Sequence, residues 1–118
     1  MTQYLMSVWY PAGATQPDPD ELERITREVD AVHRGLEEQG AWVFGAGLHG
    51  PDTATVVQSK GGRPVTTDGP FVETKEVLGG FSVIQVADLD DALVWAERMS
   101  EATACPIEVR PLHGPSAG

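Results

Sequence analysis

Three side chains near the middle of this chain could move a proton or hold a small polar ligand. His49 lies in the glycine-bracketed loop Gly47-Leu48-His49-Gly50-Pro51-Asp52, Asp68 heads Asp68-Gly69-Pro70-Phe71, and Lys75 sits in Glu73-Thr74-Lys75-Glu76. A carboxylate bonded to one imidazole nitrogen fixes the tautomer and raises basicity, which leaves the other nitrogen to take a substrate proton near neutral pH. Asp68 has acceptor capacity to spare. An Asx-turn would use the N–H two residues on, but that residue is Pro70, which has none; the Phe71 N–H is the remaining local donor. Pro70 also fixes its own φ and pushes Gly69 toward an extended conformation, so Asp68 and Phe71 are expected on a stiff corner. On the functional reading, His49 and Asp68 form an acid–base pair at the mouth of a pocket, and Phe71, Glu73 and Lys75 line it for a small polar or aromatic ligand. On the structural reading, His49 is satisfied by water or Asp52, Phe71 plugs the core, and the charged run is solvated, with local ion pairing worth under about 1 kcal/mol.

Other chemistries find little support. Three dispersed histidines and one cysteine lack the ligand spacings of structural zinc, and no helix carries two His one turn apart, so no metal site is expected. Gly45-Ala46-Gly47 and Gly79-Gly80 have neither the longer glycine pattern nor the following helix of a phosphate cradle, so no nucleotide cofactor is expected. There is no Gly-x-Ser-x-Gly elbow. Cys105 precedes Pro106 with no cation nearby in sequence and reads as a structural residue. His33 flanks a helical apolar stripe and reads as packing, whereas His113 belongs to a flexible tail over 113–118.

These residues must be positioned by one compact domain spanning 1–118, since 118 residues with 41% hydrophobic content can bury one core but not two. A net charge of −10, with eight scattered cations against eighteen acids, argues against nucleic acid as a partner and for acidity as a source of solubility. No apolar run of about 18 residues and no basic leader precede or interrupt the domain, and one cysteine closes no internal disulfide; a cytoplasmic protein without membrane contact is expected.

Periodicity supplies the elements. Gln3 to Tyr10 reads as a strand apolar on both faces. Asp18-Pro19-Asp20-Glu21 is a helix start with Asp18 as N-cap, Pro19 at the first helical position and Glu21 at the capping-box position; Leu22, Ile25, Val29, Val32 and Leu36 then form one stripe of a helix ending at Gly40. Ala41 to Leu48 and Thr53 to Ser59 are read as strands of a β-meander, with Lys60-Gly61-Gly62-Arg63 turning into a short segment at Pro64 to Thr67. Phe81 to Ala87 is a strand apolar on both faces. Asp88 caps a second helix with a stripe of Leu89, Ala92, Leu93, Ala96 and Met99, and Ile107 to Leu112 is the last strand. The order predicts an α+β fold of the ferredoxin-like split βαβ type, with two helices on one face of an antiparallel sheet.

Several of these stretches also carry a likeness. With Leu48-His49-Gly50-Pro51, Thr53-Ala54-Thr55-Val56, Asp68 to Phe81, Ala87 to Ala96 and Val109-Arg110-Pro111, the chain resembles the YCII-related proteins of the DGPF subgroup over roughly residues 4–112. It departs from that pattern at Val72, Ser82 and His49, where Ala, an aromatic and Gln are common. The resemblance implies a ferredoxin-like fold pairing into a dimeric α+β barrel, often from bacterial loci encoding extracytoplasmic-function sigma factors. It also implies that some relatives are cofactor-free enzymes using a His and Asp pair, one branch acting as a dehydrochlorinase. The doubly apolar strands agree with pairing, because two helices cover one sheet face and leave the other in water. A homodimer joined through that face is expected, the alternative cover being a loop at Pro11 to Pro17 or Glu73 to Gly79 folded back over it. Two function classes follow: a ligand-binding or regulatory module, or a cofactor-independent lyase, isomerase or hydrolase using His49 and Asp68.

Overall fold

A computed structural model describes residues 1–70 and 74–113. Its elements run β1 (Thr2–Pro11), α1 (Pro19–Glu38), β2 (Trp42–Gly47), a single 3-10 turn (Pro51–Thr53), β3 (Thr55–Lys60), β4 (Arg63–Asp68), β5 (Glu76–Val86), α2 (Leu89–Thr103) and β6 (Ile107–Pro111). The four longer-range strands form an antiparallel sheet in the order β2-β5-β1-β6, which is the split βαβ, ferredoxin-like plan.

Both helices begin where a short carboxylate can satisfy a free N–H. The Glu21 N–H donates to Asp18 Oδ1 at 2.8 Å, and the Asp91 N–H to Asp88 Oδ1 at 3.0 Å. Glu21 does not close the box reciprocally. Its carboxylate turns to Arg24, which also pairs with Glu28 one turn on and holds the Glu21 carboxyl below its usual range. At the other end of α1, the N–H of Gly40 donates to the Glu37 carbonyl at 3.0 Å and that of Ala41 to the Leu36 carbonyl at 2.8 Å; Gly40 takes the required left-handed φ of +70°.

Strand alternation sorts the sheet into two faces. Tyr4 and Met6 of β1 and Ile84 and Val86 of β5 point toward the helices, where Leu36 of α1 and Ala92 and Ala96 of α2 close the core. Met6, Leu36 and Ile84 are fully buried, each worth about 1.5–3 kcal/mol relative to exposure. Two details differ from the helical stripes read in the sequence. Of the α2 stripe, Ala92, Ala96 and Met99 are buried as read and Ala102 joins them, but Leu89 and Leu93 are exposed, since small residues let the helix lie close to the sheet; Leu22 is likewise exposed near the start of α1. The expected β-meander is also not formed. β2 pairs with β5, and β3 pairs only with β4 in a separate two-stranded ribbon. Pro51 and its 3-10 turn break the chain between β2 and β3, and polar β3 and β4 have less apolar surface to bury than doubly apolar β5.

β5 is longer than its apolar half predicts, because it begins at Glu76 and pairs with the outer end of β1. Val8 faces Gly80 while Trp9 faces Leu78, so Gly79 is the extra residue of a β-bulge. Residues 76–79 are thus strand, and residues 12–18 are exposed throughout. Among the described residues no helix packs on the second face, on which Leu5, Trp9, Phe44, Phe81 and Val83 lie, Phe44 exposed and the other four half-buried; the body is only 19 Å deep along its shortest axis.

His33 packs its ring on Trp42, with centroids 4.5 Å apart, as the sequence suggested. Burial pushes its pKa below the usual histidine value, with Asp30 and Glu37 opposing the shift. A histidine whose folded pKa is depressed binds more protons when unfolded, so stability must fall as pH drops through about 6.5, the unfolded value, toward the folded one. His33→Phe, which keeps the ring contact, is expected to lose that part of the pH dependence. Urea midpoints of both proteins from pH 7.5 to 5 check it, and identical slopes in the two would refute it.

Candidate functional site

The loops bearing His49 and Asp68 are tied to the body by backbone bonds. Leu48, at the end of β2, donates its N–H to the carbonyl of the bulge residue Gly79 at 2.9 Å, which anchors the start of the His49 loop on β5. The loop then tightens: Gly50 accepts from the Thr53 N–H at 3.0 Å and from Thr53 Oγ1 at 2.7 Å. Asp68 ends β4 opposite Thr55, and the next N–H, that of Gly69, donates to the Ala54 carbonyl at 2.7 Å. The segment from 48 to 54 therefore joins β5 at one end and the Asp68 corner at the other.

The corner itself differs from the expected extended form. Gly69 has φ +98°, on the side of backbone space that glycine enters freely. Pro70 still follows it without an N–H, but the change of direction is made by the absent Cβ. Nothing lies within 4 Å of where a Cβ would be, so backbone conformation rather than space requires glycine here.

His49 and Asp68 are both exposed, and among the described residues no hydrogen bond or ion pair links them or occupies either side chain. Lys75 is also exposed. It stands immediately before β5, where its carbonyl accepts the Ala12 N–H at 2.8 Å and so fixes it beside the end of β1. Phe71 and Glu73, the other two candidate ligand-binding residues, lie outside the described residues, as does the tail beyond His113. The Asp68-bearing ribbon root, the His49 loop and Lys75 thus gather toward the end of the sheet where β1 and β2 finish and β5 begins.

That end carries a feature not assigned to the site from the sequence. A Cβ on Gly79 would meet the Tyr10 ring at 2.8 Å, and one on Gly80 would meet the Ala46 carbonyl at 3.1 Å. The paired glycines let Tyr10 lie across the bulge while the bulge carbonyl accepts from Leu48. The signal was Gly79-Gly80 inside a strand, where glycine often marks a bulge or close approach. Two shallow grooves are found elsewhere, on the helix layer. One of about 540 Å³ runs along α1 beside Leu22, Arg27 and Arg34; another of about 290 Å³ lies between α1 and α2 beside Trp95, over whose ring Arg98 sits at 4.7 Å. Neither is lined by His49, Asp68 or Lys75.

No described helix is long and apolar enough to cross a membrane. In comparison with known proteins, residues 4–113 match the family model of the YCII-related domain. An uncharacterized protein of Rhizobium meliloti (strain 1021) is 40% identical over 95 residues, which cover 79% of this chain and 77% of that relative. The two-helix, antiparallel α+β architecture is the one that family implies, and the chain belongs to the YCII-related family.

Proposed function

We propose that this chain is a ligand-binding or regulatory module of the DGPF subgroup, which works as a two-fold dimer of the α+β barrel type and takes a small polar or aromatic ligand beside His49, Asp68 and Lys75. The observation that carries this reading is the end of the sheet itself. It brings an imidazole, a carboxylate and an ammonium group, all free of partners among the described residues, toward the rim of an uncovered apolar face. A ligand with a flat apolar body and a polar edge would use both. Phe71 and Glu73 complete the lining in this reading.

The dimer follows from how charge is distributed. Two copies at −10 repel each other, and most of the acid is carried by α1 and α2. Across the open face, Glu108 is paired with Arg110 at 2.8 Å, and the rest of its central positions are apolar or neutral. Like copies can therefore meet there without bringing uncompensated charge together. A setting beside an extracytoplasmic-function sigma factor, in the cytoplasm, agrees with the family likeness.

The same three groups would also serve proton transfer. Binding is placed ahead because His49 and Asp68 are not joined directly, and a working base needs its orienting partner within hydrogen-bond reach. A thermal-shift screen of aromatic acids, phenols and small polar metabolites tests the reading. A true ligand is expected to raise the melting temperature of the parent protein, and at 100 times its Kd to add about 2.7 kcal/mol. Asp68→Asn or Lys75→Gln should remove most of that gain while leaving the unliganded melting temperature within about 2 °C, because both side chains are exposed. A hit whose gain survives both substitutions binds elsewhere and overturns the assignment of the site.

A further inference from the structure

The β3–β4 ribbon is the part of the molecule with the least visible reason to be ordered. Of its twelve residues only Val56 is even half-buried; Val57 is 65% exposed and Val65 42%. The ribbon packs chiefly on itself, and its projection helps to give the chain a radius of gyration of 16.3 Å, against about 13–14 Å for a compact domain of this length. An isolated two-stranded hairpin is marginal in water, and a longer, valine-bearing ribbon held away from its own core is stable only when something covers it.

Its charge indicates what that is. Residues 55–67 contain Lys60 and Arg63 and no acid, in a chain whose net charge is −10. Pairing places Val56 and Val65 on the same side as Lys60 and Arg63, while Val57 lies on the other side with Asp68. One ribbon face is therefore apolar toward its root and cationic at its tip. An acidic body with an uncovered neutral sheet face and an acidic helix layer offers the matching surface, but the ribbon does not fold back onto its own copy of it.

We infer that the β3–β4 ribbon is an arm that packs on a second copy of this chain, its Val56 and Val65 against the rim of the partner's open sheet face and its Lys60–Arg63 tip toward the partner's acidic surface. The inference rests on the two-fold dimer of the proposed function and goes beyond it by assigning the arm. Twelve residues added to the strands of 10, 6, 11 and 5 in the sheet enlarge the surface each copy can contribute by about a third; a stable interface needs about 800 Å² per partner. Because Asp68 ends the arm and Gly69 bonds Ala54 in the His49 segment, seating the arm fixes the corner that carries the candidate site. Each site is then complete only when the second copy is in place.

The test combines mass with amide hydrogen exchange over a dilution series of the unaltered protein. Amides of residues 55–68 are expected to exchange at least tenfold more slowly in the dimer than in the diluted monomer, and Lys60→Glu/Arg63→Glu to raise the dimer Kd about tenfold or more, a loss that added salt partly reverses by screening the new repulsion. A dimer whose ribbon amides exchange as fast as the monomer's, with a Kd unmoved by the double substitution, overturns the arm and leaves the two-fold reading standing. A protein that stays monomeric throughout overturns both.

Discussion

Phe44→Glu is expected to turn the proposed two-fold dimer into a folded monomer. Phe44 is 58% exposed and rests on Phe81 at 5.9 Å between ring centroids, so a single copy loses one aromatic pair, worth about 0.5–1.5 kcal/mol. The cost in the dimer is of another kind. In the proposed sheet-to-sheet contact, a carboxylate on the edge strand β2 would be buried without a partner, twice by symmetry, at about 3 kcal/mol or more for the pair of copies. At about 1.4 kcal/mol per tenfold, the dimer Kd rises by more than a hundredfold. Light scattering from about 1 to 100 µM checks it, a range that brackets a micromolar Kd, at which association is worth about 8 kcal/mol. A parent protein that is monomeric across that range, or a Phe44→Glu protein that dimerises as the parent does, would rule out the open face as the interface.

Ile84→Ala should produce the largest loss of stability of any single truncation in the sheet. Ile84 has no exposed surface, faces Tyr4 of β1 and Trp42 of β2 across β5, and belongs to the core that Leu36 and the α2 alanines close. Removing its three outer carbons leaves a cavity between two helices and a central strand that cannot collapse easily, for about 3–4 kcal/mol. In a domain of this size that lowers the melting temperature by about 10–15 °C. Val57→Ala, also an aliphatic truncation in a strand, should cost under about 1 kcal/mol in dilute protein, because Val57 is 65% exposed in a single copy. Protein concentration must be held constant, since any dimer adds concentration-dependent stability. Equal shifts from the two substitutions would mean that the ribbon belongs to the main core, contrary to the sheet topology.

Much of the architecture was legible in the sequence because its signals are local. Both N-caps are a short acid three residues before the N–H it receives, and Gly40 ends α1 by adopting a φ that other residues avoid. The apolar residues on both faces of Gln3 to Tyr10 and Phe81 to Ala87 identified the two central strands, which pair over most of their length. Partner choice was harder. Whether β3 continued from β2 or left the sheet depended on competition for the edge of β5, a comparison between distant segments that no periodicity within either one expresses. The helical stripes were blurred for a related reason: which of Leu89, Ala92, Leu93 and Ala96 is buried depends on how closely α2 approaches the sheet, and small residues won that contact.

The amino-acid sequence by itself determined the α+β order, the acidic surface, the family, and the residue types available for chemistry, since all of these reside in composition, spacing and short-range bonds. Only the tertiary structure decided where those residues stand. It put Gly79 in a bulge whose carbonyl holds Leu48, turned Gly69 to a positive φ with its N–H on Ala54, and left His49, Asp68 and Lys75 exposed toward the end of the sheet where β5 begins. It also set the ribbon that ends in Asp68 apart from the sheet. The physical reason is that a backbone hydrogen bond between residues far apart in sequence carries no residue-type signature: any N–H can meet any carbonyl, and which ones meet is decided by the packing of the whole core.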